Sequence, residues 1–251
     1  MPFTGSHPAA ILPFLRTPLP ASALVIGSMA PDFPFFVPVA PGLTTHTAVA
    51  IGTTDVALGA LGWLLWHGLL AAPALDTAPH GLRARLGTVP LGVRVRLRDA
   101  RAALLVVVAL ALGSGTHVLW DEFTHARRWG PEHVPALAEN WGLLPDYRWL
   151  QYVSSLVGAL VLLVWLARWW RRTPTTSRPA GRVQWWPWAL LVAVGIGVGG
   201  PVALTSPSFG AAGFDGTAWG GGAALAVAVV LAAGWHVARR AGSSRSMPTV
   251  R

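Results

Sequence analysis

The sequence predicts an all-α fold, a polytopic membrane bundle of about five transmembrane helices preceded by an N-terminal helical hairpin. Hydrophobic residues make up 53% of the 251 residues and charged residues only 12%, and the mean hydropathy is +0.50. This composition departs from that of soluble domains. Apolar stretches long enough to cross a bilayer recur along the chain, and the basic residues lie between alternate stretches.

Two short apolar segments, residues 8–15 and 21–30, precede the first long stretch and are separated by Thr-Pro-Leu-Pro at residues 17–20. This proline pair ends one helix and starts the next. Each segment gives a helix of about 12–15 Å, half the thickness of the hydrocarbon core, so neither can span it. We therefore predict a hairpin that enters and leaves the membrane at the outer face, which brings His7 near Asp32.

The five long apolar stretches are predicted to be helices. The first begins near His46, with a neighbouring threonine as its N-cap. It carries Asp55 at a depth where an ionised carboxylate is costly, so this group must be protonated, paired or facing a cavity. A role in helix packing and a role beside a functional site are equally open for Asp55. The stretches lie near residues 45–71, 101–120, 149–167, 187–206 and 219–238.

The distribution of arginines predicts the topology. The chain has nineteen arginines and no lysine, and fifteen of them lie within residues 83–101, 168–182 and 239–251. Alternating helices place these segments on one side, which the positive-inside rule identifies as the cytoplasm. We predict a multi-pass protein of the bacterial inner membrane whose basic loops and C-terminus are cytoplasmic. Topology accounts for the net charge of +9, so the predicted partner is the lipid bilayer and not nucleic acid. The oligomeric state stays open.

Three metal-ligand side chains share one stripe of the second long helix. His117, Asp121 and His125 are spaced i, i+4 and i+8, and the outer two stand about 12 Å apart along the axis. One ion therefore cannot bind all three directly. Two neighbouring ions with Asp121 between them are one interpretation, and one ion bound by a pair while the third residue orients water or substrate is the other. The chain has no cysteine, so thiolate ligands are excluded.

The predicted topology brings candidate ligands from three regions to the outer face. A histidine at the end of a membrane helix also serves as an interfacial hydrogen-bonding group, and Asp32 after a proline is also typical of a helix stop or N-cap. Glu122 is turned about 100° from Asp121 and is a second candidate, after Asp121, for a catalytic base. We assign the site to a membrane-embedded domain of residues 1–170, and two further transmembrane helices with a basic tail to residues 171–251. The candidate metal ligands are His7, Asp32, His46, His117, Asp121 and His125.

Four motifs carry a family resemblance. In chain order they are Met-Pro-Phe-Thr-Gly-Ser-His-Pro-Ala-Ala, Gly-Ser-Met-Ala-Pro-Asp-Phe, Thr-His-Thr and Thr-His-Val-Leu-Trp-Asp-Glu-Phe-Thr-His. Over most of residues 1–170 the chain resembles the bacterial membrane family catalogued as domain of unknown function 4184. It is also similar to membrane-bound metal-dependent hydrolases and, more distantly, to the zinc-dependent phospholipase C and single-strand nuclease fold. The chain lacks the amino-terminal Trp ligand of those soluble enzymes. The resemblance implies metal ligation by His7, Asp32, His46, His117, Asp121 and His125.

The resemblance implies a divalent-metal-dependent hydrolase, and the predicted topology places its site at the extracytoplasmic face. The expected reaction is attack of metal-activated water on a phosphoester, and a membrane site favours a lipid or lipid-linked substrate. Imidazole and carboxylate ligands fit zinc best, with manganese and iron as alternatives. An ion- or proton-coupled transporter, which Asp55 favours, and a non-catalytic membrane scaffold are the two other classes that remain open.

Overall fold

The computed structural model describes residues 4–37, 43–176 and 184–245. This part of the chain is mostly helical and has one short two-stranded sheet, which confirms the predicted all-α class. The elements are a 3-10 helix Thr4–Arg16, α1 Ala21–Gly27, a 3-10 helix Ala30–Asp32, α2 Phe33–Phe36, α3 Ala48–Gly52, α4 Thr54–Leu65, a π-helical turn Trp66–Leu70, α5 Ala71–Thr77, α6 His80–Leu86, α7 Val93–Arg96, α8 Ala100–Thr124, α9 Trp129–His133, α10 Pro135–Ala138, β1 Asn140–Trp141, β2 Leu144–Pro145, α11 Asp146–Arg172, α12 Trp186–Thr205 and α13 Phe209–Arg245.

Five helical segments of the described chain are long and apolar enough to cross a membrane, as predicted. The first is continuous through α4, the π-helical turn and α5. The chain is a multi-pass membrane protein. The five segments are Thr54–Thr77, Ala100–Thr124, Asp146–Arg172, Trp186–Thr205 and Gly210–Ala241.

The first predicted span is not a single regular helix. Thr47 caps α3, because its hydroxyl accepts a hydrogen bond from the Ala50 amide (3.1 Å), as the predicted threonine cap requires. The helix then breaks at Thr53, whose φ of −128° and ψ of −93° are not helical. The Thr53 hydroxyl donates to the Val49 carbonyl oxygen (2.8 Å). The prediction of an uninterrupted helix over residues 45–71 was therefore wrong, and the break lies two residues before Asp55.

The predicted N-terminal hairpin is present. Its first arm is a 3-10 helix that contains Pro8 and Pro13. Each proline disfavours the α conformation in the residue before it. This arm packs against α1, α8 and α11. The second arm, α1, packs closely on α8, since a Cβ atom on Gly113 would overlap the Leu24 carbonyl oxygen and lie 2.7 Å from the Ser28 amide nitrogen. This close approach delivers the residues after α1 to the C-terminal half of α8.

The chain divides into two compact units. The first comprises Met1–Trp63 and Leu97–Thr173, and it contains the hairpin, α3, α8 and α11. The second comprises Leu64–Arg96 and Pro174–Arg251. Within the second unit α12 packs on α13. All the candidate site residues lie in the first unit.

Candidate metal centre

A cluster of imidazole and carboxylate side chains lies where the hairpin and the start of α3 meet the C-terminal end of α8. α8 contributes two of its residues, and the first arm of the hairpin contributes one. The 3-10 helix Ala30–Asp32 that follows α1 contributes the fourth, and the residue before the N-cap of α3 is the fifth. Each is at most 6% exposed. The structure thus brings together five of the six predicted ligands, namely His7, Asp32, His46, His117 and Asp121.

Four ligand-type atoms in this cluster face one another. His46 Nε2 lies 3.1 Å from Asp32 Oδ1 and 3.6 Å from Asp121 Oδ2. His117 Nε2 lies 3.6 Å from Asp32 Oδ1 and 3.4 Å from Asp121 Oδ2. Four ligands placed tetrahedrally at zinc-type bond lengths of about 2.0–2.1 Å stand about 3.3 Å apart. The four imidazole–carboxylate distances are close to that spacing, and Asp32, His46 and His117 form one group whose ligand atoms all lie within 4.8 Å of one another.

The other oxygen of Asp121 faces a second set of imidazoles. Asp121 Oδ1 lies 3.8 Å from His7 Nε2 and 3.5 Å from His125 Nδ1. His7 also stacks on His117, with ring centroids 3.7 Å apart. Asp121 therefore lies between two groups of ligand-type atoms, the arrangement expected of a carboxylate shared by two neighbouring ions.

Three atoms of the cluster are buried without a hydrogen-bond partner. They are His7 Nε2, His117 Nε2 and Asp121 Oδ1, and these residues form one of two groups whose ligand atoms all lie within 4.8 Å of one another. The second group consists of Asp32, His46 and His117. A buried polar atom with no partner is costly, and such atoms call for an explanation. A divalent cation would satisfy all three atoms and balance the two buried carboxylates.

Hydrogen bonds outside the cluster orient its ligand atoms inward. His117 Nδ1 donates to the Ser28 carbonyl oxygen (2.8 Å), which leaves the lone pair of Nε2 facing the carboxylates. The Thr4 hydroxyl donates to Asp32 Oδ2 (2.6 Å), which leaves Oδ1 of that carboxylate to face the imidazoles. Second partners of this kind fix the tautomer and orientation of metal ligands. Sequence reasoning missed Thr4 and Ser28, because both bonds join residues far apart in sequence. The Thr4 bond forms when the first arm of the hairpin meets Asp32, and the Ser28 bond forms when the hairpin packs on α8.

The protonation of the hairpin residues suits metal binding. Burial lowers the pKa of His7 to about 4, helped by His117 and opposed by the nearby carboxylates. His7 is therefore neutral at neutral pH, the form that binds a metal. Burial alone would raise the pKa of Asp32, but the hydrogen bond from His46, the electrostatic interaction with His117 and the hydrogen bond from Thr4 hold it below its usual value. Asp32 is therefore a carboxylate at neutral pH.

A family model described as domain of unknown function 4184 (DUF4184) matches residues 1–239. The chain belongs to this family. The DUF4184 match covers every residue of the cluster. The four sequence motifs lie within residues 1–170, and the match extends well beyond that region. No curated protein and no solved structure matches the chain.

His125 lies at the edge of the DUF4184 cluster. Its side chain is 21% exposed, more than any of the five clustered residues. Its Nδ1 lies 3.2 Å from the Asp121 carbonyl oxygen, and its Nε2 lies 3.3 Å from Gln151 Nε2 on α11. His125 is therefore held beside Asp121 by α11, on the more accessible side of the cluster.

Glu122 lies outside the cluster. Its Oε1 accepts a hydrogen bond from Arg128 Nη1 (3.0 Å) and its Oε2 accepts one from the Trp129 amide (3.0 Å). Both oxygens are thus engaged by the segment that follows α8. A catalytic role for Glu122 stays a prediction.

Asp55 is fully buried just after the break at Thr53. Ser114 on α8 donates a hydrogen bond to its Oδ2 (3.0 Å), and its Oδ1 is buried with no hydrogen-bond partner. Ser114 lies one turn before His117 on the same helix. Asp55 therefore lies beneath the cluster and belongs to neither of its ligand groups.

Proposed function

We propose that this DUF4184 protein is a membrane-embedded, divalent-metal-dependent hydrolase of phosphoesters. The observation that carries the proposal is the buried histidine and aspartate cluster with three orphaned ligand-type atoms at the end of a transmembrane helix. The ligand-type groups come from separate segments, so neither the hairpin nor α8 could form this site alone.

The position of the Asp121 carboxylate between two ligand groups favours a catalytic metal centre over a purely structural one. Each of the two ligand groups supplies three protein ligand atoms, one fewer than a closed four-coordinate site. Asp121 Oδ2 faces His46 and His117, and Oδ1 faces His7 and the partly exposed His125. Incomplete coordination leaves a position for water and substrate. A bound ion would lower the pKa of that water and stabilise negative charge developing on the phosphate.

The donor set suggests which metal and which substrate. Imidazole nitrogens and carboxylate oxygens favour zinc, with manganese or iron as alternatives. Arg127 and Arg128 lie two and three residues after His125 and place positive charge beside the cluster, which favours an anionic substrate. Because the cluster lies at the end of a membrane span, we favour a lipid or lipid-linked phosphoester.

Hydrolysis can be tested on the purified full-length protein in detergent. We expect it to release phosphate or alcohol from a chromogenic phosphodiester or from lipid phosphoesters in mixed micelles, with activity lost on chelation and restored by zinc. Asp121→Asn should reduce the rate by about a hundredfold or more, because the carboxylate faces both ligand groups. His133→Ala is the matched control, since His133 is exposed and lies outside the cluster. A protein that binds metal yet hydrolyses none of these substrates would contradict the proposal.

The arginine distribution supports an extracytoplasmic site. Leu143, in the turn between β1 and β2, is 98% exposed, and this segment follows the end of α8 that carries the cluster. In the cysteine-free chain we expect Leu143→Cys to react with an impermeant thiol reagent in intact cells. Val95→Cys, in the arginine-rich segment and 57% exposed, should react only after permeabilisation. The reverse pattern would place the site at the cytoplasmic face.

A transporter is the second candidate, because of one observation. A broken helix beside a buried carboxylate, as at Thr53 and Asp55, is a common feature of transporter sites. Transport would appear as movement of the metal ion or of protons across proteoliposome membranes without hydrolysis of any phosphoester. The main cluster lies at a helix end, which favours the hydrolase.

A further inference from the structure

We infer that Arg128 is a positioning residue that holds His46 in the orientation needed for metal binding, with Glu122 as its anchor. This inference rests on the proposed metal centre. It assigns functions to two charged residues that lie outside both ligand groups.

His46 depends on its surroundings for its conformation. Its φ of +61° lies in the left-handed region, which a residue with a side chain seldom adopts. It follows a segment without regular structure, residues 43–45, and precedes Thr47, the N-cap of α3. No helical hydrogen bonding therefore fixes its backbone, although its Nε2 must face both Asp32 and Asp121. Conformations of this kind persist at functional sites when neighbouring groups hold them.

Arg128 supplies that restraint. Its Nη1 donates to the His46 carbonyl oxygen (2.8 Å) and also to Glu122 Oε1 (3.0 Å). The other carboxylate oxygen of Glu122 accepts from the Trp129 amide (3.0 Å), which fixes the carboxylate from its far side. The guanidinium is planar and always charged, so it can serve both acceptors in one fixed geometry.

The contacts of Arg128 with Glu122 and His46 link two segments of the chain that carry ligand-type residues. Glu122 is on α8 next to Asp121 and five residues after His117, whereas His46 comes from a different segment. The Glu122 and Arg128 pair therefore ties the main chain of His46 to the helix that carries two other ligands. Because both side chains are about one-third exposed, at 28% and 32%, their ion pair contributes little to global stability. The benefit of the contact lies in the placement of His46.

Arg128→Gln tests the inference. We expect zinc binding to weaken about 10- to 100-fold, the usual effect of removing a group that orients a metal ligand. The absorption spectrum of the cobalt-loaded protein should change in the same way as in His46→Ala, because both variants lose the same imidazole from the metal. The double variant should bind zinc no more weakly than His46→Ala alone. Arg128→Lys should restore part of the affinity, since an ammonium group can also donate to two acceptors.

Arg127→Gln is the matched control. Arg127 is the adjacent arginine, is exposed and also has a positive φ of 58°, so its loss should leave the affinity and the cobalt spectrum unchanged. Glu122→Gln should weaken binding in the same direction as Arg128→Gln. Wild-type affinity and spectrum in Arg128→Gln, or a loss that adds to that of His46→Ala, would overturn the inference while leaving the metal centre intact. If His117→Ala and His46→Ala both bind zinc normally, the proposed metal centre fails instead.

Discussion

Replacing His117 with alanine is expected to remove nearly all bound zinc from the purified protein. The Nε2 atom of His117 lies within 3.6 Å of an oxygen of both buried carboxylates, and it belongs to both ligand groups. Zinc binding of about 10–16 kcal/mol shared among about four ligands amounts to about 3 kcal/mol each, so affinity should fall by about a hundredfold or more. Elemental analysis and a competition titration with a zinc chelator measure the effect.

Two further variants make this test decisive. Asp121→Asn keeps the side-chain volume and should lose zinc as strongly, which separates ligand loss from cavity formation. His133→Ala should keep the wild-type zinc content. Full zinc occupancy in both the His117 and the Asp121 variants would rule out a metal site at this cluster.

The second large effect is expected at Gly113, where α8 touches the hairpin backbone. In Gly113→Ala the new Cβ would overlap the Leu24 carbonyl oxygen and approach the Ser28 amide nitrogen to 2.7 Å. Backbone atoms cannot move aside as a flexible side chain can, so α1 and α8 must separate. We expect a loss of on the order of 3 kcal/mol of stability, together with weaker zinc binding, because Ser28 and Asp32 move away from His117.

Gly115→Ala is the matched control on the same helix. Its Cβ would meet only Ile51 Cγ2, at 4.0 Å, which is an ordinary contact. A thermal unfolding series in detergent, monitored by tryptophan fluorescence, compares the two variants, and zinc content is measured in parallel. Equal stability of the Gly113 and Gly115 variants would show that the hairpin and α8 are not in close contact.

The hydrophobic spans and the helical stripe were predictable because both are local properties of the chain. A run of about twenty apolar residues is enough to identify a transmembrane helix. The spacing of His117 and Asp121 places them on one face wherever the helix lies. The proline pair between residues 17 and 20 likewise predicts a hairpin without knowledge of its partner.

The tertiary structure alone decided which atoms meet. Asp32 approaches His117 because Gly27 and Gly113 allow two backbones to touch, a contact between residues far apart in sequence. Glu122 is turned toward Arg128, although its neighbour Asp121 faces the cluster. The left-handed backbone of His46 accompanies a contact with another segment, the hydrogen bond from Arg128 to its carbonyl oxygen. The sequence predicted neither this conformation nor the break at Thr53. Hydropathy and helical periodicity act within one segment, whereas the geometry of the cluster depends on how several segments pack. The sequence by itself therefore determined the membrane helices and the candidate ligands, and only the fold decided which of those side chains face one another.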